Sequence, residues 1–418
     1  MSSKRIATRT ALGLFTILGL YVGYRALENF LKDPDTGVAN TVGAIAAVEL
    51  LPDGAHAVYF TADGKRVDSP DYKDGSTDKD LAWRPDGNRI FFVGDREDGV
   101  FQIIRWNVAK ETTEVRSVGE RSKARITFGP PGYPDQLTAL VSVGGFVQDY
   151  NPRTGELKQV LPPIGNTAAQ NEEGGGVGSF EAVYRDLGTS FKEAKWGKDR
   201  EMVIATLRRD DGEVLIIQKL ARVEGPAGSS LAAPIPVAAG DRIEFDVDRN
   251  GRVAYSIQGF KFLDPRNVPE EFIQGDRVVP PFRNALGLLD PTQETPQQVL
   301  IGASPEDVQG FGHPRFTPDG ADLIVLLGAV DEAGDFRSQF LARIPAEEAG
   351  VQRGVPIYEG AVREFDISPD GQKIALTLDR DGKRPLFTIG LDGSNLKPVD
   401  ESRNYSEPRF SPQQPAKP

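Results

Sequence analysis

The sequence predicts an all-β protein assembled from repeated units, and three observations carry that reading. A Pro-Asp-Gly turn stands before a bulky apolar run at Pro52-Asp53-Gly54, Pro85-Asp86-Gly87, Pro318-Asp319-Gly320 and Pro369-Asp370-Gly371, leading into residues 57–60, 90–93, 323–327 and 374–376. The composition of 45 Gly, 31 Pro and 39% hydrophobic residues gives both a core and many turns, which suits short strands better than long helices. At 418 residues the chain exceeds the usual size of one core, and a fold that grows by adding units resolves this. The turn chemistry is local: Pro presets the backbone for a β-turn, Asp bonds its own backbone, and Gly accepts a positive φ.

In chain order, Lys4, Arg5 and Arg9 precede an apolar run over residues 11–24, and no acidic residue comes before Glu28. Basic residues ahead of the run place the amino end in the cytoplasm. The run alone rises about 21 Å, short of the roughly 30 Å hydrocarbon layer. A snorkelling Arg25 lets the helix continue through Ala26, Leu27, Phe30 and Leu31, so residues 1–31 read as a signal anchor with a transmembrane helix over about 11–31. A cleaved signal peptide needs a small-x-small site close to its apolar core, and Ala44-Ile45-Ala46 is too far downstream. A mitochondrial presequence is the third reading, disfavoured by the continuous apolar run. Residues 32–44 read as a polar tether, 45–413 as the repeat domain and 414–418 as a disordered tail.

The unit opening at Asp80-Leu81-Ala82-Trp83 is the clearest: strands at 90–93, 100–106 and 111–118 follow its first one. Four strands in about 40 residues match one blade of a β-propeller. Worn copies of the turn precede apolar runs at 137–143, 202–207 and 253–257, which brings the count to seven blades, with six or eight as alternatives. A circular fold needs one blade closed by both chain ends, and the terminal segment at 408–411, the stub of an eighth unit, is expected to pair with the first unit.

At the level of the repeat, Phe365-Asp366-Ile367-Ser368-Pro369-Asp370-Gly371 through Asp379-Arg380-Asp381-Gly382 resembles the WD-like repeat of the TolB propeller family. It is also similar to the non-catalytic propellers of prolyl oligopeptidase relatives. The resemblance implies a propeller over about residues 46–413 and says little about activity. The residues before it read as anchor and tether, not as the small α/β domain that the TolB family carries there.

Several chemistries are set aside. Zero Cys removes disulfides, thiolate metal sites and Cys nucleophiles, and two histidines, His56 and His313, preclude a His-rich metal site. A net charge of -12 gives no broad basic footprint, so nucleic acid is not an expected ligand. The stretch from Glu172 to Ser179 is Gly-rich but lacks the Gly-Lys-Ser/Thr of a phosphate loop, and reads as a flexible insertion. No Gly-x-Ser-x-Gly elbow occurs. No catalytic residue and no cofactor are assigned.

Two stretches remain as candidates. Asp246-x-Asp248-x-Asn250-Gly251 begins like a calcium loop, but its twelfth position is Ile257 where a bidentate Glu is needed. Residues 245–251 also align with 365–371, which makes this weak metal candidate a worn repeat turn. The insertion carrying Phe260, Phe262, Phe272 and Phe282 together with Pro265, Pro269, Pro280 and Pro281 either packs on its own blade or is presented to a partner.

The expected function is that of a non-enzymatic binding or scaffolding protein of the bacterial cell envelope. It is expected to be single-pass in the inner membrane, with its propeller on the periplasmic or extracellular side engaging a protein or glycan through loops on one face. The alternative is an enzyme processing an envelope polysaccharide or peptide with acidic residues in the propeller channel.

Overall fold

Residues 40–412 are described by the computed structural model, apart from internal positions 98, 118, 130–137, 166–178, 226–227, 265, 267, 276, 292–298, 305–307, 332 and 347–353. The expected anchor, most of the tether, nearly all of the Gly-rich insertion and the tail lie outside these residues. Among the described residues no helix is long and apolar enough to cross a membrane.

Each apolar run that follows a turn is a strand: Ala55–Phe60, Arg89–Gly94, Ala139–Val143, Met202–Arg209, Val253–Lys261, Asp322–Val330 and Lys373–Leu378. These strands are mostly buried on both faces, so they read as unbroken apolar runs and not as alternating ones. The turns ahead of them share one set of hydrogen bonds. Gly320 N–H donates to Thr317 O and Gly371 N–H to Ser368 O, both at 2.8 Å, with φ of 76° and 67° at the glycines. The Thr317 and Ser368 hydroxyls then accept from the backbone of Asp322 (3.0 Å) and Lys373 (2.8 Å). In the second unit Asp86 Oδ1 accepts from Asn88 N–H at 3.1 Å, the backbone bend expected of it.

Among the described residues the strands form five antiparallel four-stranded sheets, one seven-stranded sheet and two small hairpins. The unit seen most clearly in the sequence is one of the four-stranded sheets: Asp78–Trp83, Arg89–Gly94, Gln102–Asn107 and Thr112–Val115. In the seven-stranded sheet the strand Ile235–Val247 changes partner along its length, pairing first with Gly212–Lys219 and then with Val253–Lys261. Residues 405–410, at the carboxyl end, pair antiparallel with Ile45–Leu50, as expected of the chain ends. They are the edge strand of the first sheet, not the opening of a further unit.

Neighbouring sheets pack face to face. Phe91 and Ile103 of one sheet share a core with Ile126, Val141 and Tyr150 of the next, and Val58 and Phe60 of the first sheet share one with Ala375 and Leu386 of the last. By its internal contacts the compact unit runs from Thr41. Thr41 and Ala44, at the end of the expected tether, are buried, and Thr41 Oγ1 donates to Gly87 O at 2.8 Å. One helix was not legible in advance: α1 (Phe180–Leu187) starts from Ser179, whose Oγ accepts from Ala182 N–H at 3.2 Å, and buries Phe180 and Tyr184.

Candidate functional site

The edge strands that open successive sheets surround two cavities, and the repeat dictates what lines them. Counting back from the turn proline, the residues at positions three and five face the cavities: Asp366 and Glu364 before Pro369, Arg315 and His313 before Pro318, Arg409 and Glu407 before Pro412. The worn copies supply Asp246 and Glu244, Lys195 and Glu193 in the same places. Side chains two apart on a strand share a face, so an apolar residue such as Phe365 points into the sheet stack while its neighbours point to the axis. The cavity on the turn side measures 650 Å³ and the opposite one 940 Å³. Arg125, Glu193, Arg315 and Arg409 line both and form the girdle between them.

At position five these strands kink. Asp80, Arg125, His313 and Glu407 have φ between 46° and 56°, and the pairing register slips beside them. A bulge turns a backbone N–H away from its own sheet, and the carboxylate of the preceding unit collects it. Asp80 Oδ2 accepts from Arg125 N–H (3.0 Å), Glu244 Oε2 from His313 N–H (2.7 Å), Glu407 Oε2 from Leu81 N–H (2.9 Å), and Glu364 Oε2 from Glu407 N–H. At position three, Asp246 accepts from Phe316 N–H (3.0 Å) and Asp366 from Phe410 N–H (2.7 Å). These acids are clasps between neighbouring sheets, since each satisfies a donor that the bulge leaves over.

The electrostatics follow from this use. Burial works against ionisation of Glu244, yet His313, Arg242 and the His313 N–H outweigh it and hold the carboxyl at about 2. Asp246 is also depressed, because Lys195 and Arg315 overcome its burial. Burial lowers His313, with Glu244 opposing. Glu407 is raised by burial and by the charge of Asp80, and Asp366 by burial.

The calcium-like stretch divides between two tasks. Asp246 faces the cavity, with Lys195 Nζ at 3.0 Å and Arg315 Nη1 at 3.4 Å from its Oδ1. Asp248 stands where Ser368 stands in its own turn: its Oδ1 accepts from Arg252 N–H (2.8 Å) and Asn250 N–H (2.9 Å), and Gly251 N–H donates to its carbonyl (3.0 Å). Asn250 Nδ2 lies 3.4 Å from Asp248 Oδ2, a donor where a cation would need an oxygen. A separate group at Glu49, His56 and Asp68 brings three ligand types within 4.8 Å. Its Glu49 oxygens are already taken by Arg403 (2.8 Å) and Arg66 (2.5 Å), which opposes a cation there.

The four phenylalanines form one chain of edge-to-face and tilted ring contacts. Phe260 lies 4.8 Å from Phe282 and 5.1 Å from Phe262, which lies 5.6 Å from Phe272, measured between ring centroids. Phe282 is buried at the base, and the arm departs after the strand Val253–Lys261, near whose end Gly259 takes a φ of 62° that favours glycine. Asn284, fully buried, ties the base by accepting from Gly259 N–H (3.1 Å) and donating to Gln309 O (2.8 Å). Beyond these rings a short hairpin, Ile273–Gln274 with Arg277–Val278, carries the cross-strand pair Ile273 and Val278, exposed to 47% and 51%.

Sequence reasoning found the arm but not the cavity wall. The signal was present in Glu364-Phe365-Asp366, an aromatic residue flanked by two acids immediately ahead of the turn, and repeated as Glu244-Phe245-Asp246.

No family model matches the chain. Among solved structures it is similar to an oligogalacturonate lyase in complex with manganese, at a TM-score of 0.51 and 11% identity over 86% of this chain and 85% of that one. It is similar as well to dihydro-heme d1 dehydrogenase NirN in complex with DHE (TM-score 0.50, 12% identity, 90% of this chain and 77% of that one). TolB from Acinetobacter baumannii gives a TM-score of 0.46 at 14% identity, over 90% of this chain and 69% of that one. At such identities the likeness is one of fold: the chain is a β-propeller, and TolB-like propellers are among the structures it is similar to.

Proposed function

We propose that this protein is a membrane-anchored, non-enzymatic scaffold of the bacterial cell envelope, with a seven-bladed propeller that presents its arm to an envelope protein or glycan. The blade count takes the five four-stranded sheets as one blade each and the seven-stranded sheet as two blades joined through residues 235–247. The pairing of 405–410 with 45–50, which joins the two ends of the repeat domain in one sheet, supports a closed ring. The basic-then-apolar amino terminus supports insertion in the inner membrane, with the propeller on the periplasmic or extracellular side.

The observation that carries the reading is the arm. Its aromatic base fixes it to the propeller, while Ile273 and Val278 at its tip expose apolar surface with polar residues around them. The cavity acids Glu244 and Glu407 each give one oxygen to a backbone N–H of the neighbouring sheet, a structural use that supports the scaffold reading over the enzymatic alternative. One experiment tests the proposal: a photoreactive residue replaces Ile273 in the full chain, and cells are irradiated and fractionated. The chain is expected in the membrane pellet with a discrete adduct that Val278→Asp abolishes. A soluble chain, or irradiation that yields no adduct, overturns it.

A further inference from the structure

The outer rim of the last sheet departs from the repeat at places where other sheets set opposite charges together. Its strands Lys373–Leu378, Leu386–Gly390 and Lys397–Asp400 pair so that Lys373 stands opposite Gly390 and Lys397 opposite Thr388. Cross-strand partners share a face, and Thr388 and Gly390 are two apart, so both lysines lie on one face with the middle strand between them. Followed from the turn proline along the pairing, Lys373 and Thr388 correspond to Asp322 and Arg343, an ion pair at 2.9 Å. Thr388 and Lys397 correspond likewise to Arg105 and Glu114, an ion pair at 2.6 Å. In the last sheet a hydroxyl takes the place of the arginine, and lysines stand where the acids stood. Among the described residues neither ammonium has an ion-pair partner.

The two lysines line a cleft of 600 Å³ at the seam with the neighbouring sheet. Arg343 forms its far side, with its own charge met by Asp322. The turn after the middle strand folds back over Gly390, where a Cβ would meet Asp392 Oδ1 at 2.5 Å and Ser394 Oγ at 3.0 Å. Asp392 is the acid among the lining residues, and its Oδ1 accepts from Ser394 N–H at 2.9 Å, within its own turn. With the Arg343 pair neutral, two exposed ammonium groups face one carboxylate, a local positive excess on a chain whose net charge is -12.

We infer that this cleft binds a phosphate ester of a small polyol, with the phosphate held between Lys373 and Lys397 and the hydroxyl-bearing body along Thr388, Gln372 and Asn395. An ammonium is a compact point charge with three donors, and it meets a tetrahedral anion from any side. The two strands that carry the lysines are about 10 Å apart, a gap that their long stems close over one phosphate. The amide side chains of Gln372 and Asn395 both donate and accept, as hydroxyl groups require. The ester is either a free small molecule or the headgroup of a lipid. This cleft is separate from the arm, so the inference stands or falls independently of the partner proposed above.

Calorimetric titration of the full chain in neutral detergent tests it, with glycerol 3-phosphate beside glycerol, and dihexanoyl phosphatidylglycerol beside the phosphatidylcholine of the same chains. At least one phosphate probe is expected to bind saturably and to exceed its control by about tenfold or more. Response to glycerol 3-phosphate points to a free ester, and response to phosphatidylglycerol alone to a lipid headgroup. Affinity should fall as ionic strength rises from about 0.01 M to about 0.15 M, because the reach of exposed charge shrinks from roughly 30 Å to roughly 8 Å. Lys373→Gln with Lys397→Gln should lose about tenfold in affinity. Lys373→Asp, which restores the acid that Asp322 supplies in the neighbouring sheet, should lose at least as much. Both side chains are exposed, so these variants are expected to keep the wild-type melting curve, and Lys397→Gln alone serves if a change at 373 alters it. Absence of binding by both phosphate probes, equal binding of probe and control, salt-independent affinity, or unchanged affinity in a variant with the wild-type melting curve overturns the inference.

Discussion

Around Glu244 in the cavity wall every carboxylate oxygen has a cation or N–H nearby: His313 N–H at 2.7 Å from one, Arg242 and His313 near the other. At the tip of the arm, by contrast, Ile273 and Val278 face each other across a short hairpin and stand about half exposed. Both places break the apolar pattern of the strands beside them. The first does so inside a seam, where charge is consumed in joining one sheet to the next. The second does so outside the core, where apolar surface contributes nothing to the fold. An unusual residue therefore informs about function only after its partners are known.

Three substitutions separate these roles. The largest effect is expected at the base of the arm, where Phe282→Ala should destabilise by about 4 kcal/mol in urea unfolding, because it removes a buried ring packed on Phe260. A loss below about 1 kcal/mol would mean that the arm is not anchored through its rings.

Next comes the clasp. Glu244→Ala should cost about 2 kcal/mol by orphaning the His313 N–H and leaving His313 and Arg242 without their anion. Its pH dependence gives the sharper check. The carboxyl is depressed from 4.5 to about 2, so its stabilisation is complete above 4.5 and drains away as pH falls from there towards 2. Glu407 and Asp366 are raised, so their contribution runs the opposite way, present below their ordinary range and lost as pH rises. Melting curves of the Ala variant should therefore lose less stability than wild type between pH 4.5 and about 2, and parallel curves would remove Glu244 from the seam.

The smallest effect on folding belongs to the tip. Ile273→Ser should change stability by no more than about 0.5 kcal/mol, since the side chain is 47% exposed and outside any core cluster. A larger loss would mean that the tip packs on the propeller and is not free for a partner.

Much of the repeat was legible because its signals are local. The Asp370-Gly371 turn, the apolar run that follows it and the equivalence of 245–251 with 365–371 all lie within a few residues of one another, and the hydrogen bonds of Ser368 and Asp248 reproduce that equivalence. Helix α1 was missed because its start signal, Ser179, closes a Gly-rich stretch that by composition reads as a loop. The arm was found as an interruption of the repeat, but the sequence left open whether its phenylalanines pack or point outward. The rings answer by packing edge-to-face or tilted on one another from Phe282 out to Phe272, with the exposed surface passing to aliphatic residues that composition did not single out.

By itself the sequence determined the all-β class, the unit, its turn and the pairing of the two chain ends, since period, turn chemistry and apolar runs are properties of neighbouring residues. Only the tertiary structure decided that Arg125, Glu193, Arg315 and Arg409 meet at one girdle, and that carboxylates such as Glu244 and Asp246 are spent in joining one sheet to the next. The physical reason is distance along the chain. A strand sets which face each side chain takes, but which faces converge on an axis follows from the stacking of whole sheets. That stacking is driven by non-directional apolar burial contributed from every unit at once.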